Sequence, residues 1–209
     1  MPKEFTDLAV ATANHYALPS PLNPPAKIKT AKPVPEYIDP TDPLAVGIYY
    51  HELNEFEISA YYFSVAAARG HPTGLFLYAI SLRHGWGVEK NEKEAFRLLS
   101  SVTESVVGEE DFKRMGNASH IPLALYEVGM SFQQGWGVPK DKVKAAYYFQ
   151  QAAQLGDPDA QVALAECFMR GDGVKPSKQH AATWFRKAEK QGARLVQMQW
   201  IWKEKYDEK

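Results

Sequence analysis

Three stretches of the chain carry one loop: LRHGWGVEKNEKEAF at 82–96, FQQGWGVPKDKVKAA at 132–146 and FMRGDGVKPSKQHAA at 168–182. A supersecondary unit copied along a chain restricts the fold more than any composition does, because each copy must bury its apolar face against the next. Aligned on Val88, Val138 and Val174, each copy places alanine seven residues later, at Ala95, Ala145 and Ala181. Three residues after each valine stands Asn91, Asp141 or Ser177. Short polar side chains of this kind accept hydrogen bonds from the free amides of a starting helix. Glu94 after Asn91 predicts a capping box. The first glycine of each loop (Gly85, Gly135, Gly171) is placed to end a helix in the left-handed conformation, and the second to turn the chain back. Each copy therefore reads helix, glycine loop, helix.

The flanking segments repeat as well. AYYFSVAAARG (60–70), AYYFQQAAQLG (146–156) and ATWFRKAEKQG (182–192) put aromatics one helical turn ahead of small alanines. Large rings beside small side chains on one face let neighbouring helices interdigitate. The first helices, LAVGIYYHE (44–52), LYAISLRHG (77–85), YEVGMSFQQG (126–135) and VALAECFMRG (162–171), each carry a small residue, namely Gly47, Ala79, Gly129 or Ala165. Tyr50, Leu82, Phe132 or Phe168 follows three positions on.

These periods predict an all-α fold, a solenoid of αα-hairpins, over residues 43–209. Its units are expected at about 43–71, 72–121, 122–157 and 158–192, with an insertion at 103–120 and a capping helix at 193–206. The first unit lacks the glycine loop, and Asn54 is its expected helix cap. Residues 1–42 form an arm: a short helix from about Thr6 to Ala17, then an extended run, since 19–43 holds eight prolines. Proline fixes its backbone and has no amide to donate. PLNPPAK (21–27) contains a PxxP that fits an aromatic groove; otherwise the arm is a linker or lies along the solenoid on Leu22, Ile28 and Tyr37.

The pattern A-x3-L-G-x2-Y-x2-G-x-G-V-x3-D-x3-A-x3-F/W-x3-A-A-x2-G, fullest at 122–156, resembles the Sel1-like repeat, a relative of the tetratricopeptide repeat. A narrower likeness is to the Sel1 regions of fungal regulatory proteins, such as those linked to mitotic control or chitin synthase activation. The resemblance implies a superhelix and a non-catalytic adaptor acting in protein complexes.

The residues themselves give little chemistry. No HExxH, G-x-S-x-G, Walker or dinucleotide-binding glycine motif is present, and the six histidines share no ligand spacing. The single cysteine, Cys167, sits in an apolar helical pattern and reads as a buried thiol. No enzyme activity, cofactor or metal is expected. The near-neutral net charge of −1 argues against a nucleic-acid partner. Residues 175–209 nevertheless gather nine Lys/Arg against four Asp/Glu, so nucleic-acid association through this basic end is one alternative, and an enzyme with an unrecognised site is another. The N-terminal stretch lacks the apolar run of a secretory leader, and no stretch is long enough to span a membrane, so a soluble, cytoplasmic protein is expected.

A helix-hairpin solenoid lines its concave surface with the first helices. Large or charged residues there and on the loops are the expected contacts with a protein or peptide partner: Tyr49, His51, Phe76, Arg83, His84, Tyr126, Gln133, Gln134 and Arg170. Tyrosine and arginine are favoured at binding hot spots. Phe76 and Tyr126 have packing in the core as their alternative, and Arg83 and Arg170 have capping of helix C-termini. Trp86 and Trp136, between the loop glycines, either seal a hairpin against the adjacent repeat or form a ligand patch.

Overall fold

The computed structural model describes residues 17–104, 120–196 and 198–206. Among them are eight α-helices and no strand: α1 (Pro43–Glu52), α2 (Phe56–Ala68), α3 (Pro72–His84), α4 (Glu92–Glu104), α5 (Ile121–Gln134), α6 (Lys142–Gln154), α7 (Pro158–Arg170) and α8 (Lys178–Lys190). The chain divides into two compact units, Met1–Met115 and Gly116–Lys209. In the first, α1–α2 and α3–α4 are hairpins, and α2 packs on α3; in the second, α5–α6 and α7–α8 are hairpins, and α6 packs on α7. The helix expected over 6–17 falls, but for Ala17, outside the described residues. So does the expected insertion, except that 103–104 end α4 and His120 precedes α5.

The repeated loop has one geometry. Gly85, Gly135 and Gly171 cap α3, α5 and α7 in the left-handed conformation, with φ of +74°, +82° and +76°. The backbone amides of Asn91, Asp141 and Ser177 then reach back to the carbonyls of Leu82, Phe132 and Phe168 at 2.8, 2.9 and 2.9 Å. Their side chains accept from Glu94, from Val143 and Lys144, and from His180. Each cap residue so closes both helix ends at once. The capping box expected at Glu94 does not form. The Asn91 amide is already committed to Leu82, and Glu94 pairs with Arg97 instead.

The second glycine answers a packing demand. A β-carbon at Gly87 would lie 2.0 Å from the Phe56 carbonyl oxygen, and one at Gly173 2.0 Å from that of Lys142. These two loops are thus seated on the first turn of α2 and of α6. The first hairpin turns differently from expectation. Asn54 is not the cap of α2; Glu55 holds that position without a side-chain bond. Asn54 takes φ +59°, the left-handed residue a three-residue connection needs and one that asparagine tolerates.

The core follows the aromatic–alanine signature. Phe63, Phe149 and Phe185 are fully buried among Ala66, Ala67, Ala145, Ala152, Ala181 and Ala188. At Gly47 and Gly129 a β-carbon would stand 2.7 Å from the rings of Phe63 and Phe149. Gly47 and Gly129 are therefore sockets for the rings of the second helices.

Residues 22–38 of the arm lie against the first hairpin. Ile28, Ala31, Val34 and Ile38 pack on Val46, Tyr49, Tyr50 and Ile58. Tyr49 and Tyr50 donate their hydroxyls to the carbonyls of Pro33 and Lys32 at 3.3 and 2.9 Å, and the Leu22 amide donates to Ser64 Oγ at 2.9 Å. Proline-rich chain suits this task, since it brings apolar surface and acceptor carbonyls with few donors left to satisfy. Tyr37, expected as an anchor, is 84% exposed.

No capping helix forms at 193–206. After the turn at Gln191–Gly192 the chain runs irregularly into two 3₁₀ turns, Gln199–Trp202 and Glu204–Tyr206. Ile201 is fully buried against Ala165, Ala181, Ala182 and Phe185, with Leu195, Met198, Trp200 and Tyr206 around it. On an α-helix Leu195, Met198, Ile201 and Tyr206 would fall on one face, and Trp200 would point away from it. Irregular chain lets each of them meet the end of the α7–α8 hairpin.

Candidate functional site

The loop after α3 carries an aromatic cluster. Trp86 is 41% exposed, and three rings from separate elements hold it. His84, at the end of α3, stacks on it at 4.7 Å and 20° between planes. Phe56, the first residue of α2, lies 6.3 Å away at 26°. His51, in the last turn of α1, is 6.0 Å away at 58° and also meets Phe56 edge-on at 5.4 Å. The left-handed glycine cap sends the Trp86 backbone over Ser81, whose carbonyl it bonds at 3.0 Å, and the seating of Gly87 on Phe56 brings the ring onto α2. The result is an indole fixed in orientation, with part of its surface open to solvent.

Of the residues singled out from sequence, His51, His84 and Trp86 converge here. Phe56 completes the cluster and was missed; its only signal was its place as first residue of a second helix. The third copy repeats the relationship with charge. Asp172, the counterpart of Trp86, takes the Lys142 ammonium at 2.7 Å, and Lys142 is the first residue of α6.

The other expected contacts scatter. Tyr49 is buried under the arm, and Phe76 and Arg83 are also buried, so none of the three presents itself at the surface as expected. For Phe76 the burial agrees with the core packing held as its alternative. Tyr126 is half-buried, with its ring 5.7 Å from Phe149. Gln133 and Trp136 are half-buried and Gln134 is exposed, all at the end of α5 or its loop. Arg170 is exposed and pairs with Glu166 at 2.9 Å along α7.

Cys167 is buried, and burial pushes its thiol up to about 11, so the thiolate needed for reactivity is scarce at neutral pH. Among the described residues, no three His, Cys, Asp or Glu side chains converge to hold a metal ion, and no helix is long and apolar enough to cross a membrane.

The hairpin geometry and its loop signature coincide with a known repeat. The Sel1 repeat model matches residues 72–101, 122–157 and 158–192. The chain is a Sel1 repeat protein. Protein DSF2 of Saccharomyces cerevisiae is 32% identical to it, over 83% of this chain and 26% of that protein. An exopolysaccharide production negative regulator of Rhizobium leguminosarum bv. viciae is 30% identical, over 73% of this chain and 57% of the regulator. The Sel1 chain thus spans about a quarter of the yeast relative and little over half of the rhizobial one. The crystal structure of c5321, a protective antigen of uropathogenic Escherichia coli with an SLR fold, superposes with a TM-score of 0.61 at 23% identity, covering 72% of this chain and 30% of that one. That likeness establishes the all-α hairpin-repeat fold.

Proposed function

We propose that this Sel1 repeat protein is a non-catalytic adaptor that binds a protein or peptide partner, with the Trp86 edge as its principal contact. The observation that carries this reading is the indole itself, oriented by His84, Phe56 and His51 yet 41% exposed. A rigid, half-covered aromatic loses little conformational entropy on binding and presents large apolar area, which is what interface anchors need. Gln134 and Arg170, exposed at the ends of two first helices, are proposed as secondary polar contacts. The rhizobial relative carries the name of a negative regulator, and regulation by holding a partner suits a chain of this kind. We place its action in the cytoplasm.

The test is affinity capture from source extract, comparing the native chain with Trp86→Ala/His84→Ala. Trp86 meets its neighbours at the surface, so the variant should keep its helical circular dichroism. A stoichiometric protein recovered by the native chain and lost by the variant supports the reading. Equal recovery by both removes the Trp86 edge from the interface.

A further inference from the structure

Charge is divided unevenly along the chain. Residues 175–209 hold nine Lys/Arg and four Asp/Glu, whereas the remainder holds fifteen and twenty-one. The structure gives the basic part a face. On α8, Lys190 lies four residues after Arg186 and three after Lys187, so the three fall within about 100° on one side of the helix. The C-terminal 3₁₀ turn joins them: Arg186 Nε donates to the Ile201 carbonyl at 2.8 Å, and its guanidinium lies over the Trp202 ring at 5.2 Å. Trp202 is 52% exposed, with its indole N–H donated to Glu189 at 2.9 Å. Lys187 Nζ lies 4.1 Å over the Trp184 ring. Lys187, Lys190 and Lys203 are exposed, and among the described residues they form no ion pair.

We propose that this face of α8 and the 3₁₀ turn binds an acidic polypeptide segment, a run of Asp and Glu on a partner protein. Charge complementarity names the ligand's sign, and the aromatics narrow its class. Nucleic-acid binders of this composition stack bases on open rings. Here Trp184 and Trp202 each carry a cation over one face, so that face is closed to a base unless Lys187 or Arg186 moves. A carboxylate meets the exposed Lys187 ammonium from its outer side, already positioned over the Trp184 ring. The acidic excess elsewhere on the chain disfavours a long polyanion but leaves a short segment confined to the patch largely screened. The patch shares no residue with the Trp86 edge, so either surface can fail without the other.

The experiment uses the full chain and fluorescence anisotropy of a fluorescein-labelled glutamate decamer, with a glutamine decamer and a thymidine decamer beside it. The glutamate probe is expected to bind saturably at about 50 mM salt and to weaken about tenfold by about 300 mM, as exposed ion pairs do. Lys187→Glu/Lys190→Glu should lose at least about tenfold in affinity, and Lys29→Glu/Lys32→Glu, of equal net charge but on the arm, should lose little. Lys187→Gln/Lys190→Gln repeats the measurement if the first variant melts early. Failure of the glutamate probe to bind, or equal loss in the arm variant, overturns the proposal. Tighter binding of the thymidine decamer with quenching of tryptophan fluorescence overturns it in favour of nucleic acid.

Discussion

Gly129 on α5 faces the ring of Phe149 on α6 so closely that a β-carbon at position 129 would lie 2.7 Å from both Cδ1 and Cε1. The same relationship, at the same distance, joins Gly47 on α1 to Phe63 on α2. Phe149 is fully buried, so its ring has nowhere to retreat. The socket and the ring that fills it set how near the two helices of a hairpin can lie.

Gly129→Ala measures that socket. Alanine gains about 1 kcal/mol in intrinsic helix preference over glycine. Overpacking a close-packed core costs about 1–3 kcal/mol, and with an immobile ring the clash prevails. We expect a net loss of about 1–2 kcal/mol, read from urea unfolding with an unchanged m-value. A gain in stability would show that α5 and α6 can separate freely.

Gly173→Ala should be worse than Gly156→Ala, although both glycines have positive φ, +72° and +95°. At Gly156 nothing lies within 4 Å of an added β-carbon, so only the left-handed backbone is penalised, by about 1 kcal/mol. At Gly173 the added atom meets the Lys142 carbonyl oxygen at 2.0 Å, and backbone in a helix cannot rotate aside. Thermal melts of the two variants check this; equal losses would mean the loop is not seated on α6.

Asp157 gives the stability a signed pH dependence. It is buried and caps α7 by accepting the Ala160 amide at 2.7 Å. Burial raises its carboxyl above the ordinary 3.8, against the lowering effect of that same hydrogen bond. The folded chain therefore holds the proton more tightly than the unfolded one. Stability falls as pH rises from the ordinary value through the raised one. Asp157→Asn keeps an oxygen for the Ala160 amide and never ionises. Its stability advantage over the native chain should grow with pH across that window and level off above it. Chemical unfolding at a series of pH values reads this; a difference that shrinks with rising pH would reverse the assignment.

Much of the fold was legible because its determinants are local and repeated. Gly85, Gly135 and Gly171 stop helices, while Asn91, Asp141 and Ser177 start them, within a few residues of one another. Asn54 and Glu94 misled for the opposite reason. Each fits a local cap rule, but Asn54 was needed for a left-handed turn and Glu94 was drawn to Arg97.

The site was only partly legible. His51, His84 and Trp86 drew notice one by one, but the convergence of His51, His84 and Phe56 on Trp86 joins residues of two hairpins. Tyr49 looked as outward as His51 until the arm was laid over it.

By itself the sequence determined the repeat, its helices, the aromatic–alanine core and the sign of charge in each part, because periodicity and backbone preference are properties of neighbours along the chain. The tertiary structure alone decided which side chains are covered. It laid the arm on α1 and α2, replaced the last helix with chain folded around Ile201, and left Trp86 and Trp202 partly open. Burial depends on what packs from far along the chain, and no local pattern contains that information.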